Sequence, residues 1–270
     1  ELTKDKKIIN FSEIKYEKKY VYDWKQKEKS KIAIIYAVGG IISGKSNPGP
    51  QGSSIMGDKT IIKALQNVSK DKSIDAVILR IDSGGGSALA SDQMWREISN
   101  ITNREDKLPF IASMSGIAAS GGYYIACEAD TIIAHPTTIT GSIGVISLAF
   151  NLSDFYKKLG INKEVIKRGN FSDLYTQSRQ WTDKERQKFI DSTEEFYKEF
   201  KLRVIEGREK LNDIDELDNI ALGQVWTGNQ ALENGLVDIL GGTNKTIEVA
   251  KKMAGIDENT EIEIVEYPKY

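Results

Sequence analysis

The strongest constraint on how this chain folds is the stretch "IDAVILRIDSGGGS" at 74–87. "IDAVILRID" (74–82) is a β-branched apolar run of buried-strand length, and "SGGGS" (83–87) breaks it at once. "ALASDQMWREISNITN" (88–103) then takes up helical spacing. The pattern recurs. "KIAIIYAVGGII" (31–42) precedes "DKTIIKALQNVSKD" (58–71), where Ile61, Ile62, Leu65 and Val68 share one helical face and Asp58 stands at the N-cap position. "PFIASMS" (109–115) precedes "SGGYYIACEA", a helix expected to start at or just after Ser120. Further strands are expected at "TIIAHP" (131–136), "GSIGVISLAF" (141–150), "KEVIKRG" (163–169) and 261–268, and a helix closed by glycine at 152–160. A long amphipathic helix over 182–210 has Thr182 and Glu185 in capping-box spacing, and shorter helices are expected near 214–221, 228–235 and 243–254. Repeated strand–helix units predict an α/β fold with helices covering a largely parallel sheet.

Composition removes several function classes. The net charge of −2 gives no reason to expect nucleic-acid binding. Residues 1–30 are rich in lysine and aromatics, but interspersed acids make them a charged linker or a strand against a neighbouring domain. The single cysteine, Cys127, excludes an internal disulfide framework and a multi-cysteine metal site; within "YYIACEA" it reads as a buried structural thiol. No cofactor is expected. No run approaches the roughly 18–20 apolar residues that cross a bilayer. The chain opens on Glu1 rather than Met and reads as a piece of something longer, with targeting information outside it.

The chemistry gathers at two glycine-rich strand exits, "DSGGGS" and "AASGGYY". Glycines there free backbone N–H groups, and a helix N-terminus adds positive potential. Two such N–H groups on one carbonyl oxygen form an oxyanion hole. Plain strand–helix turns are the alternative; phosphate cradling is disfavoured, because "SGGGS" is a poor dinucleotide fingerprint and no P-loop signature is present. Ser120, flanked by alanines and glycines, is the candidate nucleophile and needs a base. The lone histidine, His135, precedes a proline at a strand end and reads as a packed or capping residue. That leaves a lysine with a pKa lowered by burial. Lys163 and Lys167 are local candidates, but both sit in "NKEVIKRG" beside Glu164 and Arg168, a solvated pattern. The residues alone leave the base unassigned.

"GIAASGGYYIA", with "RIDSGGGS", "HPTTITGSIGV" and "GQVWTGNQALENGLVDILGG", strongly resembles the signal peptide peptidase A (protease IV) family of bacterial serine proteases, in the right order from about 31 to 242. The resemblance implies a Clp protease/crotonase-like spiral of β-β-α units over 31–270. It implies a Ser-Lys endopeptidase that degrades leftover signal peptides and other largely apolar peptides. Ser120 matches the family nucleophile, Gly86 and Gly121 its oxyanion-hole donors, and Ser142 a serine that orients the catalytic lysine. Two positions depart from the family. The position aligned with the lysine is Ser172, in "GNFSD", and Gly84 stands where proline is usual. The family's long members carry two homologous halves, with serine and lysine on different halves. This chain therefore resembles a C-terminal half whose base comes from a missing N-terminal one and which is inactive alone. A homo-oligomer at the bacterial inner membrane, facing the periplasm and anchored by a segment not in this chain, is also implied. Two alternatives stand beside this reading: a non-catalytic assembly half, and a crotonase-like acyl-CoA enzyme, for which Glu128 is the nearest carboxylate.

Overall fold

The computed structural model describes residues 29–49, 54–208, 210–211 and 213–268; all but the last two residues of the lead-in at 1–30 lie outside these. In chain order the elements are β1 (Ser30–Val38), β2 (Gly40–Ile42), β3 (Asn47–Pro48), β4 (Ser54–Gly57), α1 (Asp58–Lys70), β5 (Ile74–Ser83), α2 (Ala88–Thr102), β6 (Phe110–Ala119) and α3 (Gly121–Tyr124). There follow β7 (Thr131–Ala134), β8 (Ile139–Gly141), α4 (Ser153–Lys158), α5 (Asp183–Gly207), α6 (Ile214–Asp218), β9 (Val225–Thr227), α7 (Gly228–Glu233), β10 (Ile239–Leu240), α8 (Thr243–Met253) and β11 (Ile262–Tyr267).

Among the described residues the main sheet runs β10-β7-β6-β5-β1-β11, every neighbouring pair parallel. Its central strands do not alternate apolar and polar residues. Ile32, Ala33, Ile34 and Ile35 are all buried, as helix layers on both faces require. On one face Ile61 and Leu65 of α1, Met94 and Ile98 of α2, Tyr123 of α3 and Phe200 and Val204 of α5 share a core with Ile35, Leu79 and Ala112. On the other, Ala250 and Ile247 of α8 cover Ile32, Ile34, Ile78, Ile111 and Ile133. This is the mixed α/β architecture of the Clp protease/crotonase type.

The long strand β6 positions the site. Its first half pairs with β7 and its last residues with β8, so the sheet splits along its length. The split follows an irregularity against β5, where the register shifts between Ile81 and Ser83 and the Asp82 carboxylate accepts the Ile117 N–H at 3.2 Å. β6 therefore runs on to Ala119, beyond the expected 109–115. Its tail is carried to β8, which pairs antiparallel with β9.

Several boundaries differ from expectation for identifiable reasons. The run 31–42 is two strands because Gly39 adopts φ +97°, with its N–H on Asp82 O. Gly57, not Asp58, caps α1; the buried Asp58 carboxylate accepts from the Gly44 and Lys59 N–H groups instead. The strands expected at 141–150 and 163–169 are not formed. β8 ends at Gly141, and 142–152 and 161–168 have no regular structure. Their apolar residues carry a strand pattern, yet Ile146 and Ile166 are 89% and 97% exposed, with nothing to pack on.

Candidate active site

Ser120 sits where β6 gives way to α3. Its N–H donates to Gly141 O at 2.9 Å, the last rung toward β8, and its carbonyl accepts from Tyr124 N. Between those bonds the backbone must reverse sharply, and Ser120 does so at φ 53°, ψ −122°. A side chain in that region is strained, and such strain collects at functional sites. Gly121 and Gly122 follow because nothing larger fits. A Cβ on Gly121 would lie 2.5 Å from Ser91 Oγ, and one on Gly122 2.4 Å from Ser83 O.

The second strand exit packs directly against the first. Gly85 has φ +93°, and a Cβ there would fall 2.6 Å from Gly121 N and 2.9 Å from Ser120 Cβ. Gly86 bridges to Ile41: Ile41 N donates to Gly85 O at 3.0 Å, and Ser87 N to Ile41 O at 2.9 Å. In a trans peptide the C=O and the following N–H point in opposite directions. Holding Gly85 O on Ile41 therefore aims the Gly86 N–H away from Ile41. Among the described residues neither the Gly86 nor the Gly121 N–H has a backbone partner.

Gly86, Ser120, Gly121 and Ser142 line a single cavity of about 1080 Å³. Ser142, at φ 49°, is held by its N–H on Gln224 O at 2.7 Å. One wall of the cavity is Gly86 and Ser87 with the first residues of α2, Ala88 and Leu89; another is 144–147, which has no helix or strand. Leu89, Tyr124, Phe196, Phe200 and Leu222 contribute its apolar lining. Polar groups on the rim are largely spoken for. The Asp92 carboxylate accepts from the Tyr124 hydroxyl and from Arg96 Nε, and Glu199 pairs with Arg203. Burial, with the neighbouring Asp92 charge, raises the Tyr124 pKa. The phenol is therefore a neutral hydrogen-bond donor.

Among the described residues no lysine or histidine lines this cavity. Lys167 Nζ is 2.8 Å from Asp173 Oδ1, and Lys163 Nζ lies 3.7 Å from the Tyr156 ring centroid. Lys201 is held by both Asp218 oxygens at 2.9 Å. Ser172 is exposed on the turn after Gly169, its hydroxyl on Gly169 O at 3.1 Å. His135 is exposed and bonded to Thr137 Oγ1. Cys127 is buried, its thiol pKa pushed up by that burial. Glu128 is outside the cavity lining, with Oε1 accepting from Thr102 and Asn103.

Part of the site was not foreseen. The wall from α5 (Ser192, Glu195, Phe196, Glu199, Phe200) follows i, i+3, i+4 spacing on a helix read only as amphipathic. Leu222, at φ 54°, and Gly223 reach the cavity because Gly223 N bonds Ile143 O at 2.9 Å. The only forewarning of that long-range contact was the glycine pair Gly144 and Gly223: a Cβ on Gly144 would be 2.9 Å from Gly223 Cα.

Residues 102–257, more than half of the chain, match the sequence profile of peptidase family S49. The chain is 40% identical over 88% of its length to the chloroplastic serine protease SPPA of Arabidopsis thaliana, and 32% identical over 84% to protease 4 of Salmonella typhi. It spans only 34% and 35% of those two proteins. A putative protease of Synechocystis, slr0021, is 33% identical over 92% of this chain and is itself 84% covered. By that profile and those relatives, this chain belongs to peptidase family S49, among proteins of the signal peptide peptidase A type.

Proposed function

We propose that the chain is the serine-bearing half of a Ser-Lys endopeptidase. Ser120 Oγ attacks a peptide carbonyl and passes its proton to a lysine amine supplied from outside this cavity, by a preceding homologous half. The carbonyl oxygen, now anionic, is held by the Gly86 and Gly121 N–H groups. Collapse expels the amine leaving group, which takes the proton from the lysine. Water then repeats the sequence on the acyl-Ser120 ester and frees the serine. Each oxyanion donor is worth on the order of 10²–10³ in rate. Ser142 hydrogen-bonds the lysine amine and orients it.

One observation carries the reading. A strained serine and two amide donors converge on one cavity, while Lys163, Lys167 and Lys201 are engaged elsewhere. The apolar lining suits largely apolar peptides such as leftover signal peptides. The irregular backbone at 86–87 and 144–147 suits an extended peptide bound by strand addition. Exposed apolar residues over 142–181 support a homo-oligomer or a paired half as their cover. No described helix is long and apolar enough to cross a membrane. The family resemblance, not that absence, is the ground for proposing contact with a bacterial inner membrane, on its periplasmic side, through a segment elsewhere.

The test is peptide-ester turnover by residues 1–270 alone and together with the lysine-bearing half, with fluorophosphonate labelling at Ser120. Turnover and labelling only in the combined form are expected. Robust turnover by 1–270 alone overturns the external base, and Lys167→Ala then asks whether Lys167 serves. No labelling in either form leaves an assembly module.

A further inference from the structure

The oxyanion turn is three consecutive glycines, the least restrained backbone a chain can have. Something other than side-chain bulk must hold it. Ser83, the last residue of β5, is 1% exposed, and its hydroxyl makes two bonds. It donates to Gly39 O at 2.7 Å and accepts from Gly85 N at 3.1 Å. Gly39 is itself tied to β5 through Asp82 O. Gly85 is thus gripped at both ends, its N–H by Ser83 Oγ and its C=O by Ile41 N. The Gly85 C=O belongs to the peptide whose N–H is that of Gly86. The Ser83 carbonyl also sits where a Cβ on Gly122 would fall, at 2.4 Å, so the same residue abuts the turn that carries Gly121.

We propose that the Ser83 hydroxyl is a positioning residue for the oxyanion hole, fixing Gly85 so that the Gly86 N–H stays aligned with that of Gly121. The proposal rests on the reading of Ser120 given above. Ser83 touches neither substrate nor the reacting atoms, and it is not among the residues that line the cavity. Its effect belongs to the transition state, because only there does the oxygen carry the charge that the hole recognises.

The experiment uses the combined, active form. Kinetics of peptide-ester turnover are compared for the unsubstituted protein and Ser83→Ala, alongside affinities for a peptide boronate and for an uncleaved peptide of the same sequence. We expect kcat to fall about tenfold with KM within about twofold, and boronate affinity to fall with kcat while peptide affinity holds. A kcat within about twofold of the unsubstituted protein overturns the proposal, as does an equal loss of boronate and peptide affinity, which marks a merely structural hydroxyl. If Ser83→Ala does not fold, Ser83→Cys, nearly isosteric but a weak donor and acceptor, is read by the same criteria. An unsubstituted protein without turnover refutes the assignment of Ser120, and this proposal with it; turnover that Ser83→Ala leaves intact refutes only the hydroxyl's role.

Discussion

Two regions meet at the cavity, and they are built on opposite principles. The frame around Gly86, Ser120 and Gly121 is locked by backbone bonds to Ile41 and Gly141 and by contacts that leave no room for a single added carbon. The arm over 142–181 has helix only at α4 and keeps Ile146, Leu148, Phe150, Ile166 and Tyr175 largely exposed. Its order comes from charge. Arg179 bridges Asp173 and Glu185, Lys167 adds to Asp173, and Glu185 also closes the capping box at Thr182. On the function proposed above, the frame holds the oxyanion by itself, whereas the arm's exposed apolar surface awaits the proposed partner. In that proposal the site is preorganised on the serine side and completed by the partner on the other.

The sharpest way to break this contrast is to place the same methyl group in both regions. A Cβ on Gly86 would lie 2.2 Å from Ile41 O, at φ +155°. Gly86→Ala must push β2 away and move the Gly86 amide, the proposed oxyanion donor. We expect turnover in the combined form to drop on the order of 10²–10³-fold, with stability falling by about 1–3 kcal/mol from strain alone. Gly169 in the arm has φ +106° but open space around it. Gly169→Ala should then carry only the backbone penalty of about 1–2 kcal/mol, and turnover should hold. Equal losses of turnover would show that the frame is no more closely fitted than the arm.

The arm's dependence on charge has a pH signature. Lys167 and Arg179 hold the Asp173 carboxyl below its ordinary pKa; Arg179 and the Thr182 N–H do the same, more strongly, for Glu185. Depressed carboxylates stabilise the folded arm fully above the unfolded value of about 4, and the contribution is lost as pH falls through the folded values. Trp181, which packs on Phe189 at 4.9 Å, can report the release. The difference in fluorescence between the unsubstituted protein and Trp181→Phe should stay flat down to about pH 4 and change below it. Arg179→Ala should move that change upward by about one pH unit or more. An unmoved transition would mean that packing, not the ion pairs, holds the arm.

The same division explains what could be read in advance. Strands such as 74–82 and helices such as 88–103 carry their burial in their own periodicity, and they form within a residue of expectation. The glycine exits were legible because few residue types permit so sharp a turn. In the arm the signal misled. "GSIGVISLAF" has strand composition, but a strand needs a neighbour to bond, and beyond Gly141 the described residues of this chain supply none. The cavity wall from α5 was hidden for a different reason. It depends on how a long helix crosses the sheet, which no local pattern encodes. Ser83 was hidden as well, since a strand-end serine looks the same whether its hydroxyl meets water or braces a turn.

The smallest effect sharpens the comparison most, because it concerns the one loose joint in the frame. Gly84 is the position at which the family resemblance implies proline and this chain has glycine. Its φ lies outside the positive region, unlike those of Gly85 and Gly86. A Cβ there would meet only Ile117 Cδ1, at an ordinary 3.5 Å. Its N–H makes no backbone hydrogen bond among the described residues, and the preceding Ser83 is in β5, the conformation a residue before proline favours. Gly84→Pro should therefore fit, and by restricting the unfolded chain it should stabilise by about 0.4–1 kcal/mol. For a domain of this size that raises the melting temperature by about 1–4 °C. If the frame is already held by Ser83 and Ile41, kcat will not change with it. A rise in kcat alongside the melting temperature would mean that the three-glycine turn still wanders, and that the contrast between a finished frame and an unfinished arm is one of degree.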